Sequence, residues 1–234
     1  IRQNNFRGRG QTVGLSVDYS RYSRSVQLSF TEPYLFDKNI STGVDIYRRD
    51  YNSFNQFNSD RNTTYKQATT GFQLRAGVPL SEFMSLIGRY TFNLDDVTLD
   101  QNTFYVNGQC SILLAGRYLC DAIGKRTSSI LGASIVFDNL DNRLRPSRGT
   151  QFVLGADFAG LGGSVKYARL TANAAKYWPV GAGFIFSVRG EGGMIKALGS
   201  RSSDPAIDDI RLTDRFFLGE PQIRGFDIRG VGPR

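Results

Sequence analysis

The chain has 234 residues, a formal net charge of +8 and no histidine. The absence of histidine excludes, within these residues, a Ser-His-Asp triad, a histidine general base and a histidine-ligated metal. With 26 Gly, 17 Phe and 11 Tyr but only two Met, the composition favours β structure over helical bundles. The basic residues do not cluster with aromatics, so we expect no nucleic-acid partner.

Segments in which apolar and polar residues alternate recur along the chain. Alternation with a period of two predicts strands with one apolar and one polar face. The predicted strands lie at 12–19, 25–31, 70–78, 84–94, 131–137, 152–158 and 184–188. The apolar face, expected to point outward, carries Val13, Leu15, Val17, Val26, Leu28, Phe30, Phe72, Leu74, Leu86 and Phe92. The polar face, expected to point inward, carries Asp18, Asp45, Arg75, Arg89, Asp157, Arg189 and Glu191.

Two features favour a membrane barrel over a water-soluble sandwich, which would also alternate. The strands are about ten residues long, close to the length that a tilted membrane-spanning strand needs. Aromatic residues are expected at the strand ends, as in the girdles of outer-membrane barrels. These residues are Tyr19, Tyr22, Tyr34, Phe36, Tyr47, Tyr51, Tyr177 and Trp178.

The predicted connections also alternate in length. Short, proline-bearing turns are expected at 33–37, 79–83, 139–149 and 179–183, and longer polar loops at 53–64, 98–126 and 197–210. Short periplasmic turns and long extracellular loops are typical of outer-membrane barrels. Cys110 and Cys120 lie in the longest loop, and an oxidising compartment favours a disulfide that makes this loop rigid.

The glycine-rich segment near the start does not fit a nucleotide-binding loop. Gly8, Gly10 and Gly14 have the wrong spacing for the G-x-G-x-x-G motif, and no helical pattern follows. We interpret the segment as the entry to the first strand. Glycine weakens strand pairing, which matters if a barrel has to open along one seam.

Three segments resemble the family of barrel subunits of the outer-membrane β-barrel assembly machine. Residues 4–47, with Asn5, Gly8, Gly10 and the Thr-Glu-Pro-Tyr sequence at 31–34, are similar to the family's first three strands. Residues 216–234 resemble its sixth extracellular loop. Residues 136–150 are similar to a periplasmic turn of the family through Asp138, Asp141, Arg143, Pro146 and Gly149.

The resemblance implies an all-β fold, an antiparallel transmembrane β-barrel. Residues 1–234 would be a partial barrel domain with about the first ten or eleven of sixteen strands, incomplete at the C-terminus and ending inside the sixth loop. The POTRA domains and the last strands of the family would lie outside this chain. The implied location is the outer membrane of a Gram-negative bacterium.

The function implied by the resemblance is a protein insertase that opens a lateral seam, not an enzyme, and it requires no cofactor or metal. The expected partners are unfolded outer-membrane clients, accessory lipoproteins and outer-membrane lipid. Two alternatives remain: a two-partner secretion or translocation-assembly barrel of the same superfamily, and a passive diffusion porin.

The resemblance also implies two functional segments. The lateral seam strand comprises Gly8, Gly10, Gln11, Thr12, Val13, Gly14 and Leu15. The loop-six motif comprises Ile223, Arg224, Gly225 and Phe226. Arg224 is expected to reach into the lumen and to pair with acidic residues on later strands, because a guanidinium binds carboxylates through a planar fork of hydrogen bonds.

Overall fold

Ten antiparallel strands form one sheet in the computed structural model, which describes residues 1–20, 23–57, 60–199, 210–211, 214–216, 218–219 and 223–225. Side chains are described for these residues except 53–57, 60–65 and 118. The sheet strands are β1 Arg2–Phe6, β2 Gln11–Tyr19, β3 Ser23–Glu32, β4 Ser41–Phe57, β5 Asp60–Pro79, β6 Met84–Thr98, β9 Gly124–Asp138, β10 Gly149–Ala159, β11 Tyr167–Gly181 and β12 Phe184–Ala197. The ten strands are ordered in the sheet as in the chain, and each pairs with the sheet strand before it and the sheet strand after it. Strand β6 pairs with β9 because β7 and β8 form a separate hairpin.

The connection from β6 to β9 carries the remaining elements of the described chain. These are α1 Gln101–Phe104, the hairpin β7 Tyr105–Val106 and β8 Gln109–Cys110, and the helices α2 Ile112–Ala115 and α3 Arg117–Ala122. The predicted disulfide between Cys110 and Cys120 is present, with the two Cα atoms 5.8 Å apart. Beneath it, Leu119 and Ala122 pack on Val97 and Leu99 in a small apolar core.

Short connections lie at the opposite end of the sheet. The β3–β4 connection contains a 3-10 helix at Leu35–Asp37. In the β9–β10 turn, Asp141 accepts hydrogen bonds from the Ser147 hydroxyl and from the backbone N–H groups of Ser147 and Arg148. These bonds hold the pKa of the Asp141 carboxyl well below its usual range. Their contribution is therefore present above the carboxyl's ordinary pKa and is lost as pH falls through the lowered one.

The two faces of the sheet differ in chemistry and in exposure. Strand register places Leu28 opposite Leu15 and Ile46, and places Phe72 opposite Ile46 and Phe92, so apolar side chains form continuous rows on one face. Leu28 and Ile46 are 49% and 56% exposed. On the polar face, Asp45 and Asp157 are only 3% and 5% exposed. Side chains on the inside of a curved sheet crowd together and are less exposed than those on the outside. Because the polar side chains are the less exposed ones here, the polar face is the concave face.

This arrangement confirms the predicted alternation. The apolar residues named from the sequence share the outer face, and Arg75 and Arg89 share the concave face with Asp45 and Asp157. Among the described residues, no helix is long and apolar enough to cross a membrane.

Three predictions about local structure are wrong. Residues 53–64 were expected to form a loop, but β4 continues to Phe57 and β5 begins at Asp60. The strand entered from the glycine-rich segment is the second one, because β1 precedes it and pairs with it. Of the expected girdle aromatics, Tyr47, Tyr51 and Tyr177 lie on the concave face instead, since strand alternation groups them with polar residues. Tyr22 lies outside the described residues.

Candidate functional site

Long side chains on the concave face cross neighbouring strands at glycine positions. Arg75 of β5 lies over Gly43 of β4, where an added Cβ would come within 2.9 Å of the guanidinium carbon. This passage lets Arg75 donate to the Thr31 hydroxyl on β3 over 3.0 Å and pair with Asp45. A single arginine therefore links three strands.

The same device recurs on the other half of the sheet. Arg89 of β6 lies over Gly132 of β9, donates to the Ser134 hydroxyl over 3.0 Å, and pairs with Asp157 on β10. The second carboxylate oxygen of Asp157 accepts from Arg169 of β11 over 2.7 Å. The buried carboxylate is thus held between two guanidinium groups from strands on either side of it.

A tyrosine makes the third crossing. Tyr47 of β4 lies in register with Gly71 of β5 and Asn93 of β6, and its hydroxyl group hydrogen-bonds the Asn93 side chain over 2.6 Å. A Cβ at Gly71 would come within 3.2 Å of the Asn93 Cα. The nearest atoms also include the Phe92 carbonyl oxygen, so glycine at this position permits the close approach of the β6 backbone.

Described residues after β12 contact this concave face at the end that carries the long β6–β9 connection. Asp214 receives a two-point hydrogen-bonded fork from Arg126 of β9, at 2.6 and 3.2 Å. Arg126 also donates to Asp95 of β6 over 3.2 Å and is 6% exposed. The ring of Phe216 covers Gly193 of β12, where an added Cβ would lie 2.8 Å from a ring carbon.

This Arg126–Asp214 anchor was not predicted from the sequence. Arg126 alternates onto the polar face of β9, and Asp95 is its register partner on β6. Asp214 lies 88 residues further along the chain. A pairing over that distance leaves no local pattern that could have indicated it.

The loop-six motif lies at the surface as far as the structure describes it. The backbone N–H of Ile223 donates to the carbonyl of Gly219 over 2.9 Å. Gly225 has a φ of +89°, a backbone conformation that favours glycine. Arg224 is exposed, and no ion pair joins it to the described part of the chain. Phe226 lies outside the described residues.

The predicted seam residues fall on both sides of a turn boundary. Gly8 and Gly10 belong to the turn between β1 and β2, each with a φ of +72°. The remaining five residues form the first part of β2: Gln11, Thr12, Val13, Gly14 and Leu15. They pair with β1 on one side and β3 on the other, and the Leu15 N–H donates to the Ile1 carbonyl over 2.8 Å.

The charged side chains of this face have a structural role. Asp45, Asp95 and Asp157 are each paired with arginine, so none is a free carboxylate for proton transfer. Within the described ranges, no group of three or more histidine, cysteine or acidic residues is placed to hold a metal ion. What the face can do is fix the relative positions of strands and hold the returning segment against them.

Comparison with known proteins identifies relatives along the whole chain. The model of the Omp85 superfamily domain matches residues 5–234. The outer membrane protein assembly factor BamA of Neisseria meningitidis is 24% identical over 100% of this chain and 28% of its own length. A SAM50-like protein of Drosophila melanogaster is 24% identical over 98% of this chain and 48% of its own length. The chain therefore spans less than half of the length of these relatives.

A solved structure shares the fold. The crystal structure of BamA from Haemophilus ducreyi lacking POTRA domains 1–3 superimposes with a TM-score of 0.78 and 20% identity, over 99% of this chain and 43% of that one. The ten-stranded sheet is thus part of the wall of an antiparallel transmembrane β-barrel, as predicted. The predicted location in the outer membrane of a Gram-negative bacterium is likewise confirmed by the bacterial relatives.

The crossing glycines generate a first prediction. Gly132→Ala should destabilise the sheet by about 1–3 kcal/mol, because the new methyl group displaces Arg89 from its path to Asp157. Gly190→Ala is the matched control, since an added Cβ there meets nothing within 4 Å. The stability of both variants is measured by unfolding in guanidinium chloride, with heat-modifiable gel mobility as the readout of the folded fraction. Equal midpoints for the two variants would contradict the crossing role of Gly132.

The anchor generates a second prediction. Arg126→Gln should cost about 3–5 kcal/mol, because it leaves the buried Asp95 and the partly buried Asp214 without their cation. Asp214→Asn should cost less, because Arg126 keeps Asp95, but it should release the returning segment. Limited proteolysis of residues 198–219 reads out that release. Unchanged protection in Asp214→Asn would show that the segment is held by other contacts.

Proposed function

This chain belongs to the Omp85 superfamily, and we propose that it forms part of the barrel of an outer-membrane protein insertase. The insertase folds β-barrel clients and inserts them into the membrane. We propose that residues 1–234 form a partial barrel domain of this insertase. It acts without a cofactor, with client folding as the source of free energy.

The observation that carries this proposal is the match of the whole chain to assembly factors. BamA of Neisseria meningitidis and the SAM50-like protein of Drosophila melanogaster align with 98–100% of it, and the name of the first describes outer-membrane protein assembly. Unfolded barrel proteins are the proposed clients, with accessory lipoproteins and outer-membrane lipid as further partners.

The proposed lateral seam lies on the β1–β2 side of the sheet. β1 has five residues, and its register with β2 shifts between Gln3 and Phe6. Beyond Leu15, the residues 16–19 of β2 have no described partner on that side. A short, irregular edge exposes backbone N–H and C=O groups to which a client strand can add.

The proposed role of the returning segment is to hold the loop-six motif near the lumen. Asp214 fixes the base of the segment on Arg126, about ten residues before Arg224. From there the guanidinium of Arg224 pins the loop to acidic residues of later strands, with Gly225 supplying the bend and Phe226 an apolar contact.

Client folding in proteoliposomes tests the function. Full-length protein should accelerate the folding of a client barrel, read as heat-modifiable mobility. One cysteine pair, Gln3→Cys with Val13→Cys, joins β1 to β2, which are in register there. A second pair joins β1 to the strand that closes the barrel. Oxidation of the second pair should stop client folding, and reductant should restore it.

The controls separate the possible outcomes. Wild-type protein with and without reductant measures any effect of the native Cys110–Cys120 bond. A block by the first pair alone would move the seam to the β1–β2 interface. Client folding that persists with the second pair oxidised would remove the seam mechanism. Failure of the wild-type protein to accelerate folding, with ion conduction intact, would favour a porin.

A further prediction concerns Arg224. Arg224→Ala should leave a folded barrel but slow client folding and make the loop sensitive to protease, because the pin is lost. Arg224→Lys should restore only part of the rate, since an ammonium group cannot form the planar two-point fork. Equal protease protection in wild-type and Arg224→Ala protein would reduce Arg224 to a surface charge.

A further inference from the structure

A group of charged residues lies on the outer face of the sheet, where apolar side chains otherwise predominate. In β3, Arg24 lies two residues before the outward-facing Val26 and therefore on the same face. In β4, Arg48 continues the outward row of Val44 and Ile46. Lys66 of β5 lies on the same face, four residues before Thr70, which pairs with the outward Leu94.

Strand register assembles these residues into adjacent rows. The first row contains Val26, Arg48, Thr70 and Leu94. The next contains Arg24, Asp50, Ala68, Asp96 and Lys125. The third contains Asn52, Lys66 and Thr98. The outer face thus changes from mostly apolar to mostly charged side chains between one row and the next. Two adjacent rows are separated by roughly 7 Å along a strand.

The end of the sheet at which these rows lie indicates their depth in the membrane. They lie at the end of the sheet that carries the long β6–β9 connection, which is the extracellular end by the loop-length rule for outer-membrane barrels. Side chains immediately beyond the outward apolar band meet the headgroups of the outer leaflet. The apolar residues directly below, Val26, Ile46 and Leu94, are exposed and face acyl chains.

The rows enclose a shallow recess. Its walls include Arg24, Arg48, Asp50, Lys66 and Asp96, and the small side chain of Ala68 forms part of its floor. Three cations and two carboxylates give it a net positive charge, and Lys125 adds a fourth cation beside Asp96. The recess is therefore complementary to an anion.

Part of this positive charge is not held in ion pairs among the described side chains. Arg48 pairs with Asp50 through its Nε at 3.5 Å, which leaves both terminal amino groups open. Arg24 stacks on Tyr19 with its guanidinium carbon 4.9 Å from the ring centroid. Among the described side chains, no ion pair involves Arg24, Lys66 or Lys125.

We propose that this recess binds the phosphorylated headgroup of an outer-leaflet lipid, with Arg24, Arg48 and Lys66 as the phosphate ligands. Guanidinium groups suit phosphate because their planar donors match two of its oxygens, and lysine adds a point charge. The apolar row below receives the acyl chains of the same molecule, which a free phosphate lacks. The site does not depend on insertase activity.

Lipid retention tests this site without any client. Full-length protein is reconstituted in phosphatidylcholine vesicles that contain a diphosphorylated glucosamine lipid, or the same lipid after phosphatase treatment. After gentle detergent extraction, native mass spectrometry counts the lipid that remains bound. Wild-type protein should retain the phosphorylated form and lose the dephosphorylated one, and inorganic phosphate in the buffer should not displace the bound lipid.

Charge-neutral variants locate the site. Arg24→Gln/Arg48→Gln/Lys66→Gln should retain the lipid about tenfold less well or worse, because several charge-assisted contacts are lost. Arg143→Gln/Arg145→Gln/Arg148→Gln removes the same charge from the β9–β10 turn at the other end of the sheet and should have no effect. Heat-modifiable mobility checks that each variant folds.

Three results would overturn the proposal. The first is equal retention of the phosphorylated and dephosphorylated lipids by wild-type protein, a comparison that needs no variant to fold. The second is equal loss in the two triple variants, which would reduce the effect to net charge. The third is displacement of the lipid by inorganic phosphate, which would indicate a site for the free anion.

Discussion

The hydrocarbon of a bilayer offers no hydrogen-bond partner to a peptide group, so strands that cross it have to satisfy one another. The ladder from β1 to β12 follows from this constraint, and it orders the strands as a meander in which chain neighbours are also spatial neighbours. Because successive side chains on a strand point to opposite faces, the same ladder sends apolar residues outward and polar residues to the concave face. Exposed Leu28 and buried Asp45 are two outcomes of this single rule.

The concave face shows how charge is accommodated on the inside of a curved sheet. Asp45 and Asp157 are shielded from water, and each is paired with arginine from another strand. The arginines reach their partners only because Gly43 and Gly132 leave a passage above the intervening strand. Pairs of this kind add little net stability, since desolvation offsets much of the attraction, but a broken pair is costly. Their consequence is a defined relative position for β3 to β6 and for β9 to β11.

The same physical device extends from the barrel wall to the returning segment. Arg126 joins Asp95 of the wall to Asp214 of the segment, so one guanidinium couples the strands to the chain that follows β12. The irregular β1–β2 edge and the outward recess on β3 to β6 lie at the same side of the sheet. The proposed lipid site and the proposed seam therefore lie in the same half of the sheet.

The sequence by itself determined the fold class and the two faces of the sheet, because alternation has a period of two residues and is visible within any single strand. The disulfide was predictable because Cys110 and Cys120 lie in one loop. The long connection at 98–126 was also predicted from the sequence, but the loop expected at 53–64 was not found, because β4 and β5 continue into that segment. Register was not predictable, since it pairs residues far apart in the chain: Arg89 with Asp157 across 68 positions and Arg126 with Asp214 across 88. The presence of β1, the inward side chains of Tyr47 and Tyr177, and the grouping of Arg24, Arg48 and Lys66 were likewise decided only by the tertiary structure. These features depend on which strands lie side by side and at what offset, and backbone hydrogen bonding between strands sets that offset.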